Sequence, residues 1–116
     1  MEQDRQYRDP QYVAHILDCI GKIEKYLAGV SRDDFFHPRN DMMQDAVVRE
    51  LTVIGEIAKR FSRQFRDNNL KIPWDDITGM RDKIVHDYES VDFIVVWETV
   101  TEDIPFLKKA LTDKGV

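Results

Sequence analysis

Three stretches of the chain set an apolar residue at every third or fourth position, and that spacing leaves few folds open. The first stripe is Val13, Ile16, Ile20, Ile23 and Leu27. The second is Val47, Leu51, Ile54, Ala58, Phe61 and Phe65, and the last is Phe93, Trp97, Val100, Ile104, Leu107 and Leu111. A helix turns once in about 3.6 residues, so each stripe lies on one helical face. No alternation of strand type and no internal repeat competes with this reading.

Punctuation along the sequence divides the helices. Asp9 followed by Pro10 reads as an N-cap with proline in the first turn, and Gly29 reads as the stop of the same helix. Ser31-Arg-Asp-Asp opens a short helical turn or loop that Phe35-Phe36-His37-Pro38 closes. A second helix is expected from about Asp41 to about Phe65, and then a polar surface loop from Arg66 to Pro73. The third helix starts at Trp74-Asp75-Asp76, carries Ile77, Met80, Ile84 and Val85, and ends near Asp87-Tyr88-Glu89-Ser90. The last begins near Val91-Asp92. Pro105 lacks the amide that would bond to the carbonyl of Thr101, a loss of about 3 kcal/mol in an ordinary helix interior, and so predicts a kink. The expected fold is all-α: a compact antiparallel bundle of four main helices, with the last kinked near Pro105. The seven-residue steps also suit a coiled-coil seam, but the breaks after Gly29 and Pro73 favour the bundle.

At 116 residues the chain fits a single domain, residues 1–116. Apolar residues make up 42% and charged residues 34%, too hydrophobic for a disordered chain and too charged for a membrane protein. No run approaches the roughly 18 apolar residues of a membrane span, and MEQDRQYRDPQY has no secretory h-region, so a cytoplasmic location is expected. The lone Cys19 lies within an apolar helical pattern and reads as a buried thiol. A net charge of −5 argues against a general nucleic-acid coat protein, though a local positive cluster still attracts phosphate.

The signatures of several enzyme classes are missing: GxxxxGK[ST], GxSxG, HExxH and CxxC do not occur. His15, His37 and His86 lack the spacing of metal ligands, and no metal or other cofactor is expected. The informative segment is Gly79-Met-Arg-Asp-Lys-Ile-Val-His-Asp-Tyr88. Arg81 offers a permanent charge and a forked donor for phosphate, and a histidine such as His86 is a residue type that can move a proton. Together they suit phosphodiester cleavage. On one ideal helix the step from Arg81 to His86 turns about 140° and rises about 7.5 Å, so the two do not stack, whereas Arg81 and Tyr88 share a face. Arg81 would have to reach across, or a helix end turn His86 inward, or a second subunit supply matching groups. Gly79 would permit close approach of two such helices. A plainer reading pairs Arg81 with Asp75, Asp76 or Glu56 and leaves His86 to cap the helix C-terminus.

Ile72-Pro-Trp-Asp-Asp-Ile-Thr-Gly-Met-Arg-Asp-Lys-Ile-Val-His-Asp-Tyr88, with Val91-Asp92 and Val96-Trp97-Glu98 after it, resembles the HepT-like toxins of the HEPN superfamily, which carry an RxxxxHxY-type motif. The resemblance extends upstream to Val48-Arg-Glu-Leu-Thr-Val-Ile-Gly-Glu-Ile-Ala-Lys59 and downstream to Asp103-Ile-Pro-Phe-Leu107, and covers the chain from about Gln11 to Leu111. It implies a metal-independent endoribonuclease, the toxin of a type VII-like toxin–antitoxin pair, acting as a homodimer or larger assembly on RNA such as tRNA. By matching position, Arg81 and His86 are the implied catalytic pair. Tyr88 is the implied site of AMPylation by a minimal nucleotidyltransferase antitoxin. Neither DNA nor a membrane is an implied partner. Where the family commonly has Asn after the arginine, this chain has Asp82, a carboxylate that repels phosphate yet can also orient Arg81 or act on His86. Glu56 is a further candidate to support Arg81. The competing reading is a non-catalytic helical module that binds a nucleotidyltransferase or a nucleotide.

Overall fold

In the computed structural model, which describes residues 2–86 and 90–113, the first stripe lies on a 26-residue helix, α1 (Glu2–Leu27). Gly29 ends the run with φ of 73°, the left-handed conformation that glycine adopts without a Cβ clash. A short helix, α2 (Arg32–Phe36), follows. Its capping box is complete: the Ser31 hydroxyl accepts from the Asp34 amide, and the Asp34 carboxylate accepts from the Ser31 amide. One 3-10 turn (Pro38–Asn40) leads into α3 (Asp41–Ala58). The remaining elements are α4 (Arg63–Asp67), α5 (Trp74–Thr78), α6 (Met80–Ile84), the strands β1 (Val85–His86) and β2 (Ser90–Val91), α7 (Phe93–Glu98), a π turn (Thr99–Asp103) and α8 (Ile104–Thr112). The fold class is all-α, as the spacing predicts.

The stripes meet in one core. Val13, Ile16, Ile20 and Ile23 of α1 are buried with Val47, Leu51, Ile54 and Ala58 of α3, while Ile104, Leu107 and Leu111 of α8 close over them. Leu27 is only half-buried, at the edge. Phe35, fully buried, touches the rings of Phe36, Phe93 and Trp97 and so fastens α2 to α7. A second aromatic group, Tyr12, Phe61, Phe65 and Trp74, joins α1 to α4 and α5. Gly55 lets α3 lie against α5 and α6. A Cβ there would stand 3.1 Å from the Ile77 carbonyl oxygen and 3.5 Å from the Met80 Cβ.

Several boundaries differ from those the sequence predicts. Asp9 does not cap α1; the helix begins at Glu2 and runs through Pro10. Its carboxylate is buried and serves another helix, accepting from the Ser62 amide at 2.9 Å and the Ser62 hydroxyl at 2.6 Å. That hydroxyl in turn accepts from the Phe65 amide and caps α4. The second helix therefore stops at Ala58 instead of Phe65, and Arg66 folds back to donate to the carbonyls of Ala58 and Lys59. The expected loop from Arg66 to Pro73 is partly internal: Ile72 is buried, and the Asn69 carbonyl accepts from the Trp74 ring N–H.

The third helix is broken at Gly79 and ends at Ile84, not beyond Asp87, because Val85 turns extended. Gly79 has a local use as the joint between α5 and α6, with its amide bonded to the Asp75 carbonyl, and the glycine at a helix–helix contact is Gly55. The two-residue strands carry too few positions for any alternation to register in sequence. Pro105 acts as expected, by a specific device. The Ile104 amide reaches back five residues to the Thr99 carbonyl, closing a π turn, and Pro105 falls in the first turn of α8 where its missing amide costs little.

Two outcomes follow from this packing. Asp9→Ala leaves the buried Ser62 amide without its partner and should lower stability by about 1–3 kcal/mol in urea unfolding, with little change in helix content. Cys19 is buried, and burial first, then the neighbouring Glu50 carboxylate, pushes its thiol up to about 11 from 9.0. Its proton is held more tightly folded than unfolded, so its contribution is complete below about pH 9 and is lost as pH rises through about 11. Cys19→Ala should therefore show a shallower alkaline decline in stability than the parent, by up to about 3 kcal/mol.

Candidate active site

Burial dictates which way α6 faces. Met80 and Ile84 are both buried, and the three residues between them, Arg81, Asp82 and Lys83, are exposed. Lys83 reaches Asp103 of the π turn at 3.7 Å. Among the described residues Arg81 makes no hydrogen bond or ion pair, and its guanidinium has five donors to offer an anion. Neither Asp75 nor Asp76 takes it. Glu56, the other expected support, pairs instead with Lys59 at 3.1 Å.

His86 is off the helix. The Val85 amide bonds back to the Arg81 carbonyl, Val85 then turns extended, and β1 pairs antiparallel with β2, Val85 opposite Val91 and His86 opposite Ser90. The 140° helical rotation between Arg81 and His86 therefore does not arise, since only the first four residues of that interval are helical. His86 stands on an extended backbone with 57% of its side chain exposed. Tyr88 lies outside the described residues; the helix on which it would share a face with Arg81 ends at Ile84.

The sequence reading missed one neighbour of His86. Asp92 follows β2 directly, and its Oδ2 lies 3.8 Å from His86 Nε2. Asp92 stood in the sequence as the start of a helix and within the family resemblance, but nothing tied it to His86, because the ladder that returns the chain there is two residues long. Asp82 is exposed beside Arg81 on α6. The site is thus an open surface on which a cation with free donors and a titratable ring stand on consecutive elements. Such an arrangement can hold an anionic oxygen and move a proton on a substrate too large for a closed pocket. Among the described residues, no group of three His, Cys, Asp or Glu side chains converges as metal ligands do, and no helix is long and apolar enough to cross a membrane.

Comparison with known proteins bears on this arrangement. The family model "Ribonuclease HepT-like" matches residues 16–113. A "Putative RNase" of Caldanaerobacter subterraneus subsp. tengcongensis is 39% identical over 88% of this chain and 89% of its own. A "Probable ribonuclease HepT" of Thermococcus cleftensis is 38% identical over 90% and 91%, and a "Putative RNase" of Methanocaldococcus jannaschii is 36% identical over 84% and 79%. No solved structure matches. With the matched region reaching from the middle of α1 to the end of α8, the chain belongs to the HepT-like ribonuclease family of the HEPN superfamily.

Proposed function

We propose that this protein is a metal-independent endoribonuclease, the toxin of a type VII-like toxin–antitoxin pair, with Arg81 and His86 as its catalytic residues. The observation that carries the reading is the break between α6 and β1, which sets an arginine that is unpaired among the described residues and an exposed histidine on adjoining elements in a chain of this family. In the reaction the ribose 2′-hydroxyl attacks the neighbouring phosphorus and gives its proton to His86. The new 2′-O–P bond replaces the P–O5′ bond, leaving a cyclic phosphate, and the departing 5′-oxygen takes a proton from water or from the second histidine of a dimer. Arg81 stabilises the charge that grows on the non-bridging oxygens. DNA lacks the nucleophile, so cleavage is confined to RNA.

Neutralisation is assigned to Tyr88. Its phenol oxygen attacks the α-phosphorus of ATP on a minimal nucleotidyltransferase, releasing pyrophosphate. The adenylate adds negative phosphate and bulk within seven residues of Arg81, which repels RNA. The active species is a homodimer. Asp82 favours the rival reading of a module that only binds nucleotide or nucleotidyltransferase, since its exposed carboxylate stands where RNA phosphate would approach.

Purified, unmodified protein in EDTA should cut total RNA or tRNA. Arg81→Ala and His86→Ala, both at exposed positions, should fold normally and lose about a hundredfold or more in rate. An intact RNA pool would remove the ribonuclease reading and favour the binding module. Incubation with the cognate nucleotidyltransferase, ATP and magnesium should add adenylate mass to the parent and none to Tyr88→Phe, and cleavage should fall in step with the added mass.

A further inference from the structure

Asp92 is anchored from two sides before it meets the histidine. Its amide donates to the Ile84 carbonyl at 2.8 Å, tying it to the last residue of α6. Its Oδ1 accepts from the amides of Ile94 and Val95, at 3.1 and 3.2 Å, and caps α7. The second carboxylate oxygen takes no part in the cap. Oδ2 faces His86 Nε2 across 3.8 Å, an ion-pair distance that a small turn of the ring converts to a hydrogen bond. His86 is held in register by β1 and β2, so ring and carboxylate are fixed to the same short ladder. About a third of the Asp92 side chain is exposed.

We infer that Asp92 is a positioning residue for His86: its Oδ2 accepts from the Nε2–H, so that Nδ1 is the atom presented to the RNA. The inference rests on the ribonuclease reading above for its catalytic consequence. The physical reason is general. A histidine serves as a base when one ring nitrogen is held as the donor and the other is left with its lone pair toward the substrate. When Nδ1 takes the 2′-hydroxyl proton, the ring becomes a cation, and the carboxylate behind Nε2 stabilises it without itself becoming protonated. Capping and positioning are shared between two oxygens of one side chain, so they can be separated by substitution.

Asp92→Asn and Asp92→Ser each retain an oxygen able to cap α7 while removing the negative charge. Both should melt within a few degrees of the parent. Both should lower kcat by about tenfold or more with KM unchanged, a smaller loss than that of His86→Ala. In RNA-free protein, the His86 ring nitrogens observed by 15N NMR should report Nε2–H as the dominant neutral form in the parent and a mixture in Asp92→Asn. An unchanged kcat in both variants, a change confined to KM, or His86 resonances indifferent to the substitution would overturn the inference. If the parent itself cuts no RNA, the ribonuclease reading and the catalytic half of this inference fall together. The ring measurement then decides separately whether Asp92 holds His86.

Discussion

The placement of the candidate site depends on how closely α3 can be approached. One face of that helix packs on α1. Toward α5 and α6 it presents Gly55, where a Cβ would crowd the Ile77 carbonyl at 3.1 Å and rest against the Met80 Cβ. The missing Cβ brings the backbone of the third helical segment against the core, and with it the buried Met80 and Ile84. Once those two are inside, a five-residue helix has only its other face to offer, and Arg81 is on it. The catalytic arginine of the proposal is thus exposed as a consequence of what its neighbours bury.

Much of the fold was legible because most of it rests on periodic burial. Most of the stripe residues named from spacing are interior, with Leu27, Phe65, Phe93 and Trp97 half-buried, and Gly29, Ser31 and Pro105 act where local chemistry puts them. The misplaced start of α1 and end of α3 share one cause: a polar side chain spent on a distant partner. Asp9 has the look of a local cap but is committed to Ser62, 53 residues away, and Ser62 starts a helix inside what reads as a continuous one. Arg66 likewise closes α3 from beyond its end. Within the candidate site, the residue types of Arg81 and His86 were readable, and their relation was not. Helical geometry assumed a helix past Ile84, whereas the backbone turns extended at Val85 for a ladder too short to leave a pattern. Asp92 stayed hidden for the same reason.

An acidic chain that handles RNA needs no global positive charge if its cations are free where they are needed. Some of the exposed cations here are neutralised in pairs, Lys59 with Glu56, Lys83 with Asp103 and Lys108 with Glu24. Each such pair at the surface contributes little stability, but it also withdraws a cation from competition for phosphate. Arg81 is not so engaged. Local field, rather than net charge, then selects where a phosphodiester settles. Asp82 and Asp92 temper that field from two directions, one beside the arginine and one behind the histidine.

The closing of α8 over α1 bears on how the protein comes into being on the ribosome. The first helix emerges early, yet its buried stripe is covered by Ile104, Leu107 and Leu111, and its Glu24 meets Lys108 across 84 residues. Synthesis at about 5–20 residues per second leaves that stripe waiting several seconds for its cover. Arg81, His86 and Asp92 are all translated before α8, so the core is still open along α1 when they are made. A chain synthesised only as far as Asp92 therefore has the side chains of the proposed site but leaves the α1 stripe uncovered until α8 packs on it.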